Sequence, residues 1–76
     1  IQNRVLMGDR IRELREQKGM DIMTLAFRSN IQPNTLKRIE AGKFSADLDI
    51  LTQIAQGMGM KIDFVELKND ESHEKQ

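Results

Sequence analysis

Hydrophobic positions in the first sixty residues recur at helical spacing. Met7, Ile11, Leu14 and Lys18 follow one another at steps of four, three and four, which draws one face of a 3.6-residue helix over 7–18. Gly19 is the natural stop, with Met20 folding back onto the last turn. The start is open: Asn3 offers a cap for an extension through Arg4 and Val5, whereas Gly8 weakens one. Asp21 caps a short second helix to Ser29 that carries Leu25 and Ala26 inward. Asn30, of a residue type that tolerates positive φ, allows a sharp bend with Ile31 packed beneath it. Pro33 suits the first turn of a third helix, which runs to Ala41 with Leu36 and Ile39 as its inner face and Gly42 as its stop. After a loop over 43–46, Asp47 caps a fourth helix from Leu48, whose inward stripe is Leu48, Leu51, Ile54, Ala55 and Met58, ended by Gly59.

From Met60 the period falls from 3.6 to 2, and the alternation of Met60, Ile62 and Phe64 with Lys61, Asp63 and Val65 predicts a strand over 61–67. The expected fold is therefore all-α, with four to five helices and a C-terminal β-strand. Residues 1–60 form the body, 61–67 the strand of the same domain, and 68–76 a polar tail that buries nothing. A lone strand has unpaired N–H and C=O groups on both edges. The simplest partner is the same strand of a second copy across a twofold axis, with Met60, Ile62 and Phe64 buried between them. The alternative is a strand folded back on its own fourth helix.

Composition narrows the picture. Seventy-six residues make one domain, and a core of that size rarely supplies more than ~3–5 kcal/mol unaided, a second reason to expect a homodimer. No apolar run approaches the ~20 residues that span a bilayer, and the N-terminus lacks the apolar core of a secretory signal, so no membrane association and a cytoplasmic location are expected. The chain has no Cys and a single His, His73 in the tail, which leaves no expected metal site or cofactor. With no nucleophile and base pair and no glycine-rich phosphate loop, an enzyme is not expected. The formal net charge of zero conceals a division: residues 1–45 hold nine Lys and Arg against five acids, and residues 46–76 hold three against seven. The first half can face an anion, although two solvated faces of opposite sign give the same arithmetic.

Helices two and three are short and nearly contiguous, with Ala26 at their crossing and Leu25, Ile31, Leu36 and Ile39 around it. That is the arrangement of a helix-turn-helix, whose second helix projects far enough to fit the ~12 Å major groove of DNA. The stretches GDRIRELREQKGM (Gly8 to Met20), TLA (Thr24 to Ala26) and NTLKRIEAGK (Asn34 to Lys43) resemble the helix-turn-helix domains of the phage repressor and Cro type, the XRE family, over Met7 to Met60. The resemblance implies a lambda-repressor-like fold, a third helix that reads bases, neighbouring helix ends that hold phosphates, and an ion pair between Arg15 and Glu40.

The residue chemistry suits separate roles. Asn34 offers the donor and acceptor that recognise adenine, Arg38 forks onto guanine or grips a phosphate, and Lys37 suits the backbone. Gln32 and Thr35 suit phosphates beside the helix N-terminus, and Lys43 reaches the backbone from the loop. The competing reading is of ordinary solvent-facing residues. The chain also departs from the family pattern. Ile22 and Pro33 replace usual glutamines, so Pro33 offers a base only an apolar contact, such as with a thymine methyl, and Ala41 replaces a common Asn. Ile22, Met23 and Phe27 are apolar where the family is polar; core packing accounts for one of them, and an exposed cluster would mark a docking surface.

The expectation is a bacterial or phage regulator that binds double-stranded DNA as a dimer and represses by occlusion, associated with the nucleoid when bound. Two alternatives stand beside it: an antitoxin that regulates its own synthesis through the same face and binds a toxin, and a protein-binding module that has lost DNA affinity.

Overall fold

The structure, a computed structural model, describes residues 3–67. Four helices follow in order: α1 (Asn3–Gln17), α2 (Ile22–Ser29), α3 (Pro33–Glu40) and α4 (Leu48–Gly57). The side-chain oxygens of Asp21 and Asp47 accept the backbone N–H groups of Thr24 and Ile50 at 2.8 and 2.9 Å, which starts α2 and α4.

All four helices end in one way. One or two residues beyond each helix the chain turns left-handed, at Gly19, Asn30, Gly42 and Gly59, the first, third and fourth of these being glycine. Two reversed hydrogen bonds then close each end; after α1, Gly19 N–H donates to Glu16 and Met20 N–H to Arg15, at 3.0 and 3.1 Å. Met20 and Ile31 are thereby returned to the core. Four breaks at four such residues set all the chain reversals.

α2 packs against α4 and crosses α3, while α1 lies against α3. Ile11, Leu25, Ala26, Leu36, Ile39, Ile54 and Met58 form one buried cluster. Leu25, Leu36, Ile39 and Ile54 are its largest wholly buried side chains, each worth roughly 1.5–3 kcal/mol of burial.

α1 begins at Asn3, so Gly8 lies inside a helix instead of delaying its start. The reason is a close approach: a Cβ on Gly8 would stand 2.3 Å from the Ile39 carbonyl oxygen and 2.8 Å from that of Glu40. The intrinsic cost of glycine in a helix is offset by the packing of α1 directly onto the last turn of α3. The added first turn sets Val5 against the loop after α3, where a side chain on Gly42 would meet Val5 Cγ2 at 2.9 Å.

Three expectations are corrected. Among the described residues there is no fifth helix and no strand; 61–67 follows α4 without regular structure. Alternation alone does not make a strand, because the ladder needs a second extended segment and the described residues supply none. Leu48 is exposed, since as the first residue of α4 it lies beyond the core layer, and Ile50 packs against the core instead. Met7 is also exposed, at the rim of a groove between α1 and α4. The polar tail over 68–76, with His73, lies outside the described residues.

Candidate nucleic-acid interface

Ala26 is 1% exposed at the crossing of α2 and α3, and this small side chain lets the two backbones close together. Asn30, at φ 59° and ψ 43°, makes the bend between them, and Ile31 N–H donates to the Ala26 carbonyl at 3.0 Å. Leu36 and Ile39 anchor the inner side of α3, so the 3.6-residue period places Asn34, Lys37 and Arg38 on the opposite side, all exposed. Pro33 and Thr35 flank that ridge half-buried. Gln32 precedes α3 in an extended conformation and makes no side-chain capping bond, so its amide stays exposed beside the free N–H groups of the first turn. Lys43 is exposed in the loop beyond Gly42.

Glu40 turns inward from the end of the same helix. Its carboxylate receives Arg15 Nε at 2.7 Å and a second guanidinium nitrogen at 3.0 Å, while Arg15 also donates to the Met20 carbonyl at 2.9 Å. The hydrogen bonds to Glu40 raise the Arg15 pKa above its ordinary value, outweighing the opposing effect of burial. This bridge ties α1 and the turn that follows it to the end of α3, and so braces α3 against the body.

The cations divide into matched and unmatched groups. Arg10 and Arg12 pair with Glu13 and Asp9 along α1, and Arg15 pairs with Glu40. Arg28 Nε donates to the Gly57 carbonyl at 2.7 Å, closing the end of α4. Among the described residues, Lys37, Arg38 and Lys43 have no carboxylate partner. Arg38 instead lies over the ring of Phe44, 5.7 Å from its centroid. Lys37 and Arg38 thus stand unneutralised on the outer side of α3, with Lys43 in the loop that follows.

Sequence reasoning missed two contributors. Phe44 was only part of a loop there, yet it packs against the core and steadies Arg38; an aromatic residue directly after a basic pair was the available signal. Arg28 counted toward the positive half, but its contact depends on how α2 meets α4 and left no local signal. Of the three unusual apolar residues in α2, Ile22 packs against the core, while Met23 and Phe27 are 65% and 86% exposed.

The family model HTH_3, described as helix-turn-helix, matches residues 11–65. The chain belongs to the XRE-type helix-turn-helix family, a class of DNA-binding transcription regulators. Its fold is similar to that of the restriction-modification controller protein C.AhdI from Aeromonas hydrophila, with a TM-score of 0.76 and 30% identity over 78% of this chain and 89% of that one. It is also similar to the clp gene regulator ClgR from Corynebacterium glutamicum, at TM-score 0.73 and 26% identity over 76% of this chain and 62% of that one. No curated protein sequence matches. Among the described residues no helix is long and apolar enough to cross a membrane, and no three His, Asp or Glu side chains gather as metal ligands.

Proposed function

We propose that the chain is a sequence-specific transcriptional regulator that inserts α3 into the DNA major groove and acts as a homodimer, repressing by occlusion, in the cytoplasm of a bacterial cell. The observation that carries this reading is the ridge of Asn34, Lys37 and Arg38, exposed and, among the described residues, without carboxylate partners on a helix whose far side is locked into the core. The regulatory roles in the names of C.AhdI and ClgR support it. Asn34 and Arg38 read base edges. Pro33 offers an apolar contact, Gln32 and Thr35 meet phosphates beside the start of α3, and Lys37 and Lys43 grip the backbone. In a dimer, two such helices ~34 Å apart enter successive turns of the groove.

Selection of bound duplexes from a random pool tests this directly. The expected result is a pseudo-palindromic preference that Asn34→Ala relaxes at one position in each half-site. Lys43→Ala should weaken all sequences alike and lower the slope of log affinity against log salt by about one. Binding that ignores both changes would overturn the assignment of α3.

The exposure of Met23 and Phe27 favours a second reading, in which α2 also docks a protein such as a toxin while α3 serves autoregulation, or in which protein docking is the whole function. The double change Met23→Ser with Phe27→Ser separates the two. It should leave the helical spectrum intact, and a further loss of co-purified protein with unchanged DNA binding would establish the docking role.

A further inference from the structure

A hollow of about 150 Å³ opens where the first turn of α1, the end of α3 and the loop over 43–46 meet. Its floor is apolar, made of Ile39, Phe44, Ala46 and Leu51. Three exposed polar side chains stand at its rim, Asn3, Arg4 and Ser45, and none of the residues that line it is acidic. Asp47, the next carboxylate along the chain, is turned to the backbone N–H of Ile50 at 2.9 Å. Packing outside the hollow sets its walls: Val5 lies against Gly42, which holds the first turn of α1 beside the loop, and Ile39 is anchored in the core. The outward ridge of α3 makes no use of this space.

We propose that this hollow binds a small monocarboxylate with a short apolar body, and that its occupancy weakens the hold of α3 on DNA. At about 30 Å³ for each water, the space equals roughly five waters and suits an apolar body of about five or six carbon atoms. The carboxylate then meets Arg4, whose planar guanidinium has five donors and can take a carboxylate with two of them while keeping another bond. The Asn3 amide and the Ser45 hydroxyl supply further donors at the rim. An amine of the same shape would face Arg4 with like charge, and an anion without the apolar body would leave the floor wet. The link to DNA runs through one ring. Phe44 lines the hollow, and the same ring lies 5.7 Å from the Arg38 guanidinium. A ligand seated against Phe44 shifts that ring, and Arg38 loses the support that limits where its side chain goes. Ligand and DNA then weaken each other by equal factors, as linkage requires. This coupling rests on the proposed reading of α3, whereas the site itself does not.

Hexanoate is the probe, with acetate and hexylamine as controls. In amide NMR spectra of the full chain, hexanoate should shift residues 44–46 with a dissociation constant of about 1 mM, in keeping with so few atoms. Acetate and hexylamine should bind roughly tenfold more weakly or not at all. Arg4→Ala should weaken hexanoate about three- to tenfold by removing the charge-assisted bonds. Ala46→Leu should fill the floor and abolish binding; Arg4 is exposed, so its variant keeps the test open where Ala46→Leu does not fold. Saturating hexanoate should lower DNA affinity about two- to fivefold against acetate at equal ionic strength, and Phe44→Leu should remove that difference. No shift at 44–46, equal shifts with acetate, which would make Arg4 a bare anion contact, or hexanoate binding indifferent to Arg4→Ala would overturn the site. Hexanoate bound there without effect on DNA would overturn the coupling. Arg38→Ala then tells the two failures apart: weakened DNA binding leaves the role of α3 standing, and unchanged binding removes that role as well.

Discussion

Arg15 and Glu40, twenty-five positions apart, meet as a two-pronged ion pair at 2.7 and 3.0 Å with side chains only 11% and 6% exposed. A pair this sheltered from water is costly to break and inexpensive to replace. Glu40→Ala strands a guanidinium against the core and should lower the unfolding free energy by about 3–5 kcal/mol in urea titration. Replacing both residues, as Arg15→Met with Glu40→Leu, should recover most of that loss. Failure of the double variant to recover would show that the bond from Arg15 to the Met20 carbonyl carries more of the stability than the pair itself.

Ser29 and Gly57 form a tight contact between α2 and α4. The Ser29 hydroxyl is buried with no hydrogen-bond partner among the described residues, and a Cβ on Gly57 would collide with it. Ser29→Ala removes an unsatisfied group and should leave stability unchanged or raise it by up to about 1 kcal/mol. Gly57→Ala should destabilise by about 1–3 kcal/mol through overpacking. Part of that cost should disappear when the alanine at 29 is also present, which a double-mutant cycle of melting curves reads as coupling.

The carboxylate of Asp21 has a pKa held below the usual carboxylate range, first by the backbone N–H of Thr24 and then by its hydroxyl. A lowered folded-state pKa means that the stabilisation is present above the unfolded-state pKa and lost as pH falls through the folded-state value. Asp21→Asn keeps an acceptor without the charge. The melting temperature of this variant should therefore fall less steeply than that of the parent as pH is lowered below about 4; parallel curves would remove Asp21 from the acid response.

The ring of Phe44 beneath the Arg38 guanidinium limits where that side chain can go. Phe44→Leu keeps apolar bulk against the core but withdraws the ring, an interaction worth about 0.5–1 kcal/mol at an exposed site. If preordering of Arg38 aids DNA binding, affinity should fall roughly two- to fivefold at constant salt, a loss of similar energy. Arg38→Ala with Phe44→Leu should then be no weaker than Arg38→Ala alone, as measured by fluorescence anisotropy.

Local chemistry was the legible part of this chain. Asp21 and Asp47 cap through their own N–H neighbours, and the bend at Asn30 depends on its own backbone preference, so short windows of sequence suffice for them. The outward ridge of α3 was legible because Leu36 and Ile39 fix which side of the helix faces in. Features needing two distant elements were not. Gly8 reads as a helix breaker until Ile39 and Glu40 are brought against it, and Arg28 reads as a free surface cation until the end of α4 arrives beside it. The alternation after Met60 misled for the same reason: a strand needs a second extended segment beside it, and the described residues supply none.

Val5 resting against Gly42 gives the amino-terminal turn a lever on the far side of the recognition helix. Bulk added ahead of Val5, as with a rigid fusion partner, would push on the segment that carries Lys43 and Phe44 while leaving Asn34 and Arg38 untouched. Under the proposed reading, affinity measured with such a fusion would understate the grip on the sugar-phosphate rails while leaving base preference as it was.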